Sequence, residues 1–207
     1  MVMKINPTEK EHIREAIIQA EAHTSGEIVT VIAQKSDRYL YISLFWSALL
    51  ALCFPAFFLL MDWYLPIHYL LASQLMLFCL FWLIIDKTPI KFWLLPKNMG
   101  HSCAHKNACE QFIECGVHLT RHHTGIMLFV SVSEHYVEIM ADKGISDIVP
   151  QEKWDTIIDH FTIHIKNNQI EAGFVEAIYA CGDLLKNYIP RPDDDINELQ
   201  DALVEID

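Results

Sequence analysis

His118–Ile145 reads "HLTRHHTGIMLFVSVSEHYVEIMADKGI". "IMLFVSV", Ile126–Val132, apolar but for Ser131, predicts a strand, and "SVSEHY" turns the chain tightly after it. Tyr136, Glu138 and Met140 then alternate with Val137, Ile139 and Ala141. That period of two predicts a second strand with one buried face. "TRHHTG" before the pair and "ADKG" after it supply turn residues at both outer ends.

Working outward, Ala104, Ala108, Phe112, Cys115 and Leu119 mark one face of a preceding helix. Downstream, one helical face is drawn by Trp154, Ile157, Ile158, Phe161 and Ile165. A second is drawn by Phe174, Ala177, Ile178, Cys181, Leu184 and Leu185, with Pro190 as its stop. Near the start, Thr8 and Glu11 have capping-box spacing, and Ile13, Ala16, Ile17 and Ala20 recur at helical intervals until Gly26. "EIVTVIA", Glu27–Ala33, follows as a β-branched strand. Helix, Thr-containing turn, glycine, strand thus occurs twice in outline. The expected architecture is α/β: a small mixed sheet with helices on both faces, an α/β/α sandwich.

Between the two repeats the composition changes. Tyr39–Met61 and Trp63–Ile85 are each 23 residues without Asp, Glu, Lys or Arg. About 20 such residues cross roughly 30 Å of hydrocarbon, so a two-helix transmembrane hairpin is expected. A soluble hairpin this uniformly apolar would need more protein around it than the rest of the chain provides. Pro55 inside the first run reads as a kink, which membrane bundles tolerate. Lys35 and Arg38 precede the runs, Lys87, Lys91 and Lys97 follow them, and the turn around Asp62–Pro66 has no base. The positive-inside rule then puts both termini and the α/β domain in the cytoplasm of a plasma (inner) membrane. Tyr39, Tyr41, Trp63, Tyr64 and Trp93 suit its interfaces. The first 38 residues have no apolar core of the signal-peptide kind. The expected domains are 1–38, the first part of the sandwich; 39–86, the hairpin; 87–190, the linker and second part; and 191–207, an acidic tail.

The formal net charge is −12, and residues 191–207 hold seven acids against one base. Without a basic stripe, a nucleic-acid partner is not expected; the tail reads as solvated, with a docking segment as the other reading. The expected partners are the lipid bilayer and either a membrane protein or a second copy, since "SALLA" offers small residues for close helix contact. The six cysteines are expected as thiols, two in the spans and four on the reducing side.

Three stretches, "AEAHTSGEIVTVIAQKSDRY", "ACEQFIECGVHLTRHHTGIMLFVSVSEHYVEIMADKGISDIVPQEKW" and "AGFVEAIYACGDLLKNYIP", together resemble the TPM domain family. That family is named for a thylakoid lumen protein, a photosystem repair protein and an acetylcholine-receptor modulator. The internal hairpin resembles its bacterial membrane branch. The resemblance implies an α/β/α sandwich, and some plant members are associated with acid phosphatase activity and divalent-metal binding. Glu27 matches the acid of the Thr-Ser-Gly-Glu element, Asp37 and Tyr39 match a Ser-Asp-x-Tyr feature, and Asp142 matches the acid of Ala-Asp-x-Gly-Ile. Glu134 matches the acid after the "FVSVS" strand. His135, His122 and His123 stand where members commonly carry Arg, which weakens a phosphate clamp because neutral imidazole lacks Arg's fixed charge and fork.

Asp142 and Glu134 are therefore the catalytic candidates. Glu27, Asp37 and Asp142 are the metal candidates, with Mg²⁺ or Ca²⁺ as the ion because the donors are all oxygen. Capping of the Lys143–Gly144 turn is the ordinary reading of Asp142. Cys115 and Arg121 have the spacing of a cysteine phosphatase loop, but Cys115 falls on a helix face. His101, His105 and Cys109, four apart, carry zinc-type ligands, with packing and helix surface as the ordinary reading. His118, His122 and His123 read as a histidine-rich surface turn, and Glu134 and His135 show no serine-based triad around them. Walker, dinucleotide-binding, HExxH and EF-hand patterns do not occur. The expected function is a membrane-anchored interaction or assembly module. The alternative is a weak metal-dependent phosphomonoester hydrolase.

Overall fold

The β-branched run Glu27–Ala33 forms strand β1, and Gly125–Ser131 forms β2; every residue of both is buried. Continuous apolar runs fit strands covered on both faces, and these two lie parallel, Glu27 beside Gly125 and Ala33 beside Ser131. The computed structural model describes residues 5–61, 66–192, 194 and 196–206. β3, Tyr136–Ala141, returns antiparallel to β2 through a turn in which His135 has φ 50°. β4, Leu203–Ile206, pairs parallel with the other side of β1, giving the order β3-β2-β1-β4.

The helices are α1 (Pro7–Glu21), α2 (Leu40–Leu60), α3 (Ile67–Lys87), α4 (Ile90–Trp93), α5 (Lys97–Glu114), α6 (Lys143–Ser146), α7 (Gln151–Lys166) and α8 (Ile170–Tyr188). The chain divides into two units. Asp37–Met99 form one, and the stretches up to Ser36 and from Gly100 form the other.

In the second unit, alternation along the strands feeds two apolar clusters. Ile28, Ile32, Ile126 and Leu128 pack with Ile13 and Ile17 of α1, Phe161 of α7 and Phe174 of α8. Val29, Val31, Met127 and Phe129 pack on the opposite face with Ala108 of α5 and with Val117. The sheet is thus covered on both sides, as an α/β/α sandwich. Phe161 and Phe174 meet edge to face at 5.0 Å, and each fully buried ring of this kind contributes about 1.5–3 kcal/mol.

Several local expectations change. The first helix is capped by Asn6 and Glu9, whose carboxylate accepts the Asn6 N–H at 2.7 Å, because Pro7 occupies the first helical position. α1 stops at Glu21, short of Gly26. Leu119 leaves the buried helix face: α5 ends at Glu114, Gly116 turns the chain at φ 69°, and Leu119 is exposed. β3 has apolar neighbours on both faces, since Tyr136 and Met140 join the α5-side cluster. The acidic tail is not simply solvated. Its apolar residues Leu203, Val204 and Ile206 form β4 against a buried strand.

In the unit Asp37–Met99, α2 and α3 are both long and apolar enough to cross a membrane. Phe45, Leu52, Leu60, Ile67, Leu75 and Met76 are exposed along them, unlike the side chains of a soluble core helix. The residues buried on α2 include Ser43, Ser47 and Ala51, four apart, a spacing of small residues that suits close helix packing. α3 runs from Ile67, after Pro66, and the expected start at Trp63 lies outside the described residues. The expected turn residues 62–65 lie outside the described ones. At the other ends of the two helices, Tyr39 packs edge to face on Phe92 at 5.8 Å, and the Lys91 ammonium donates to the Arg38 carbonyl at 3.3 Å.

Candidate functional site

Parallel β1 and β2 bring like ends together. The sheet therefore has an amino edge at Glu27 and Gly125 and a carboxyl edge at Ala33 and Ser131. β3 runs the other way, so it carries Glu134 at the carboxyl edge and Asp142 at the amino edge, where the Asp142 N–H donates to the Gly125 carbonyl at 2.9 Å. The six residues of β3 lie between them, about 20 Å of extended chain. Glu134 and Asp142 therefore belong to two places and do not converge on one catalytic centre.

At the amino edge, Glu27 and Asp142 flank Gly125 at a backbone separation of roughly 10 Å, two strand spacings. The buried Glu27 carboxylate accepts the N–H groups of Glu198 at 3.2 Å and Leu199 at 3.4 Å, tying down the tail. Asp142 caps α6 by accepting the Lys143 N–H at 2.7 Å, and its other oxygen meets His123 Nδ1 at 2.8 Å. Gly144 lets α6 abut this turn: a Cβ there would lie 2.4 Å from the His122 carbonyl oxygen. The turn-capping reading of Asp142 is what its contacts describe. Asp37 belongs to the hairpin unit, with its carboxylate on the Arg38 N–H at 2.5 Å. Among the described residues no group of three or more His, Cys, Asp or Glu side chains is arranged to hold a metal ion.

Two residues that the sequence reading passed over complete this edge. Glu21, Thr24, Glu27, Arg191, Asn197 and Asp201 line a cleft of about 210 Å³. Glu21 is buried and accepts the Ile28 N–H at 2.7 Å. Burial pushes its carboxyl up to about 9, with the nearby Glu27 and Asp201 adding to the shift. At neutral pH it is a protonated, uncharged acid. The signal for Glu21 lay in the helical period, since it continues the face of Ile13 and Ile17 by one more turn. Asp201, far along the chain, gave none.

At the carboxyl edge, Glu134 accepts the Ser36 N–H at 3.0 Å with one oxygen and the Ser131 hydroxyl with the other. The two serine hydroxyls are 2.7 Å apart. This chain of Ser36, Ser131 and Glu134 joins the ends of β1 and β2 where open α/β sheets generally bind ligands. It contains a carboxylate acceptor and hydroxyls. Cys115 directly follows the last residue of α5, burial raises its thiol, and Arg121 offers its backbone N–H to Glu198 at 2.9 Å, so "CGVHLTR" forms no phosphate loop with an activated thiol.

Residues 89–184 match the family model of the TPM domain. The chain contains a TPM domain. The matched part runs from α4 into α8 and includes β2, β3, Glu134 and Asp142. The NMR structure of BA42 protein from the psychrophilic bacterium Bizionia argentinensis is similar with a TM-score of 0.62 and 20% sequence identity, over 98% of this chain and 96% of that one. At that identity the likeness establishes the fold of the TPM domain here and nothing of its chemistry. No curated protein matches the chain.

Proposed function

We propose that this is a membrane-anchored TPM-domain protein whose sandwich is an interaction or assembly module at the cytoplasmic face of the plasma (inner) membrane, in the manner of the membrane branch of the family. The observation that carries the reading is the inserted pair α2 and α3. Their large apolar side chains face outward, Leu60 at 82% and Met76 at 72% exposure. In water such a surface would drive association; in lipid it is at rest, and helices satisfy their interior backbone groups, apart from the carbonyl that Pro55 deprives of its donor, which membrane bundles tolerate. Lys35 and Arg38 before α2, and Lys87, Lys91 and Lys97 after α3, favour the cytoplasmic placement of both termini.

The test is fractionation followed by thiol labelling. Membranes carrying the protein should retain it through a carbonate wash. In a cysteine-free background, Met61→Cys should react with an impermeant maleimide from outside, and Ser102→Cys only after the membrane is opened. Release by carbonate alone, or labelling of position 102 from outside, would overturn the anchoring or its orientation.

A divalent-metal-dependent phosphomonoester hydrolase is the second reading, favoured by the placement of Glu134 with two serine hydroxyls at the carboxyl edge. Calorimetric titration with Mg²⁺, Ca²⁺ and Mn²⁺ decides it. Micromolar binding lost in Glu134→Gln supports the hydrolase, and no binding by the folded protein removes it.

A further inference from the structure

α5 carries His101, His105 and Cys109 four residues apart, so they share one helix face. Across from them on β3 stand Tyr136 and Glu138. His105 Nδ1 meets both oxygens of Glu138, at 2.8 and 3.1 Å. Because a carboxylate only accepts, Nδ1 of the neutral ring carries the proton and Nε2 presents its lone pair. That lone pair is 3.7 Å from Cys109 Sγ. Glu138 is itself held by the Tyr136 hydroxyl, which donates to it at 3.0 Å.

We infer that His105 Nε2 and Cys109 Sγ are the two preset ligands of a thiophilic divalent cation such as Zn²⁺, with Glu138 as the carboxylate that orients His105. Tetrahedral Zn²⁺ binds sulfur at about 2.3 Å and imidazole nitrogen at about 2.0–2.1 Å, which sets the two donors about 3.6 Å apart. The observed S···N separation of 3.7 Å matches that edge of the tetrahedron. A ligating histidine typically donates its other N–H to a carboxylate, which fixes the ring and raises its basicity, and Glu138 does this for His105. His101, one turn before His105, instead has its ring 5.2 Å from that of Tyr136, so water completes the shell around the two preset donors. His105 is 56% exposed, so an ion reaches it from solvent. On binding, the Cys109 thiol releases its proton to the buffer and the sulfur coordinates as thiolate.

The site differs in place and chemistry from the acids at the sheet edges and is independent of the proposed membrane role. The test is a titration of untagged, full-length protein in detergent with Co²⁺ alone, following sulfur-to-cobalt charge-transfer absorption and its displacement by Zn²⁺. The wild type should show the band. Cys109→Ser should abolish it while Cys103→Ser keeps it, and His105→Ala should weaken binding at least tenfold. Glu138→Gln should weaken it by about 10-fold to 100-fold, as loss of an orienting carboxylate does. Circular dichroism establishes that each variant is folded. Absence of the band in folded wild type, or its survival in Cys109→Ser, overturns the site.

Discussion

At the scale of single residues, Glu21 has the clearest measurable consequence. Its carboxyl is raised from an ordinary 4.5 to about 9, first by burial and then by Glu27 and Asp201. A folded state that holds a proton more tightly than the unfolded chain is most stable below the unfolded value. That contribution is lost as pH climbs toward the folded one. Stability should therefore fall between pH 5 and pH 9. Glu21→Gln keeps an oxygen to accept the Ile28 N–H and removes the charge, so it should raise the melting temperature at pH 8 by about 2–4 °C per kcal/mol recovered and change it little at pH 5. Thermal melts at the two pH values check this, and equal shifts at both would refute it. The same residues show what a sequence exposes. Asp142 was legible as a turn cap because its hydrogen-bond partner is its neighbour Lys143. Glu134 was legible as an acid after a strand, but its partners Ser36 and Ser131 come from two distant strand ends, which only pairing brings together.

Among the elements, β1 was readable to the residue because a doubly covered strand needs an unbroken β-branched run. β4 was not. Four residues inside an acidic tail have too short a pattern, and their partner lies across the whole sandwich in sequence. Leu119 misled for a related reason, since helical spacing continues on paper past the point where Gly116 turns the backbone. Once paired, β4 converts β1 from an edge into an interior strand, with Val204 beside Val31 and packed into the α5-side cluster. Val204→Asp puts an unpaired carboxylate on that apolar face, and should destabilise the protein by about 1–3 kcal/mol through local release of the tail. The Gln34 N–H, which donates to the Ile206 carbonyl at 3.0 Å, should exchange at least tenfold faster. The Glu27 N–H, which donates to the Thr124 carbonyl at 3.0 Å, should keep its protection. Equal acceleration at both amides would mean global unfolding and would contradict an independently releasable strand.

For the whole molecule, the question is whether the hairpin is needed to build the sandwich or only to locate it. A crossover between parallel neighbours requires a dozen or more residues, ordinarily a helix. α5, with 18 residues, already supplies one between β1 and β2. Between them the two apolar clusters of the sandwich draw on the strands, α1, α5, α7, α8 and the tail, and among the described residues none of their buried members comes from α2 or α3. The hairpin is thus an insertion into a connection that the fold can make without it. Replacing residues 40–93 with a flexible Gly/Ser linker should give a protein that is soluble without detergent. It should keep the sandwich's circular dichroism in both the far and near ultraviolet and melt in one cooperative transition. It should also lose carbonate-resistant attachment to membranes. If the shortened protein instead binds a hydrophobic dye and shows no near-ultraviolet signal, the sandwich depends on the hairpin for its packing, and the division of labour between fold and anchor fails.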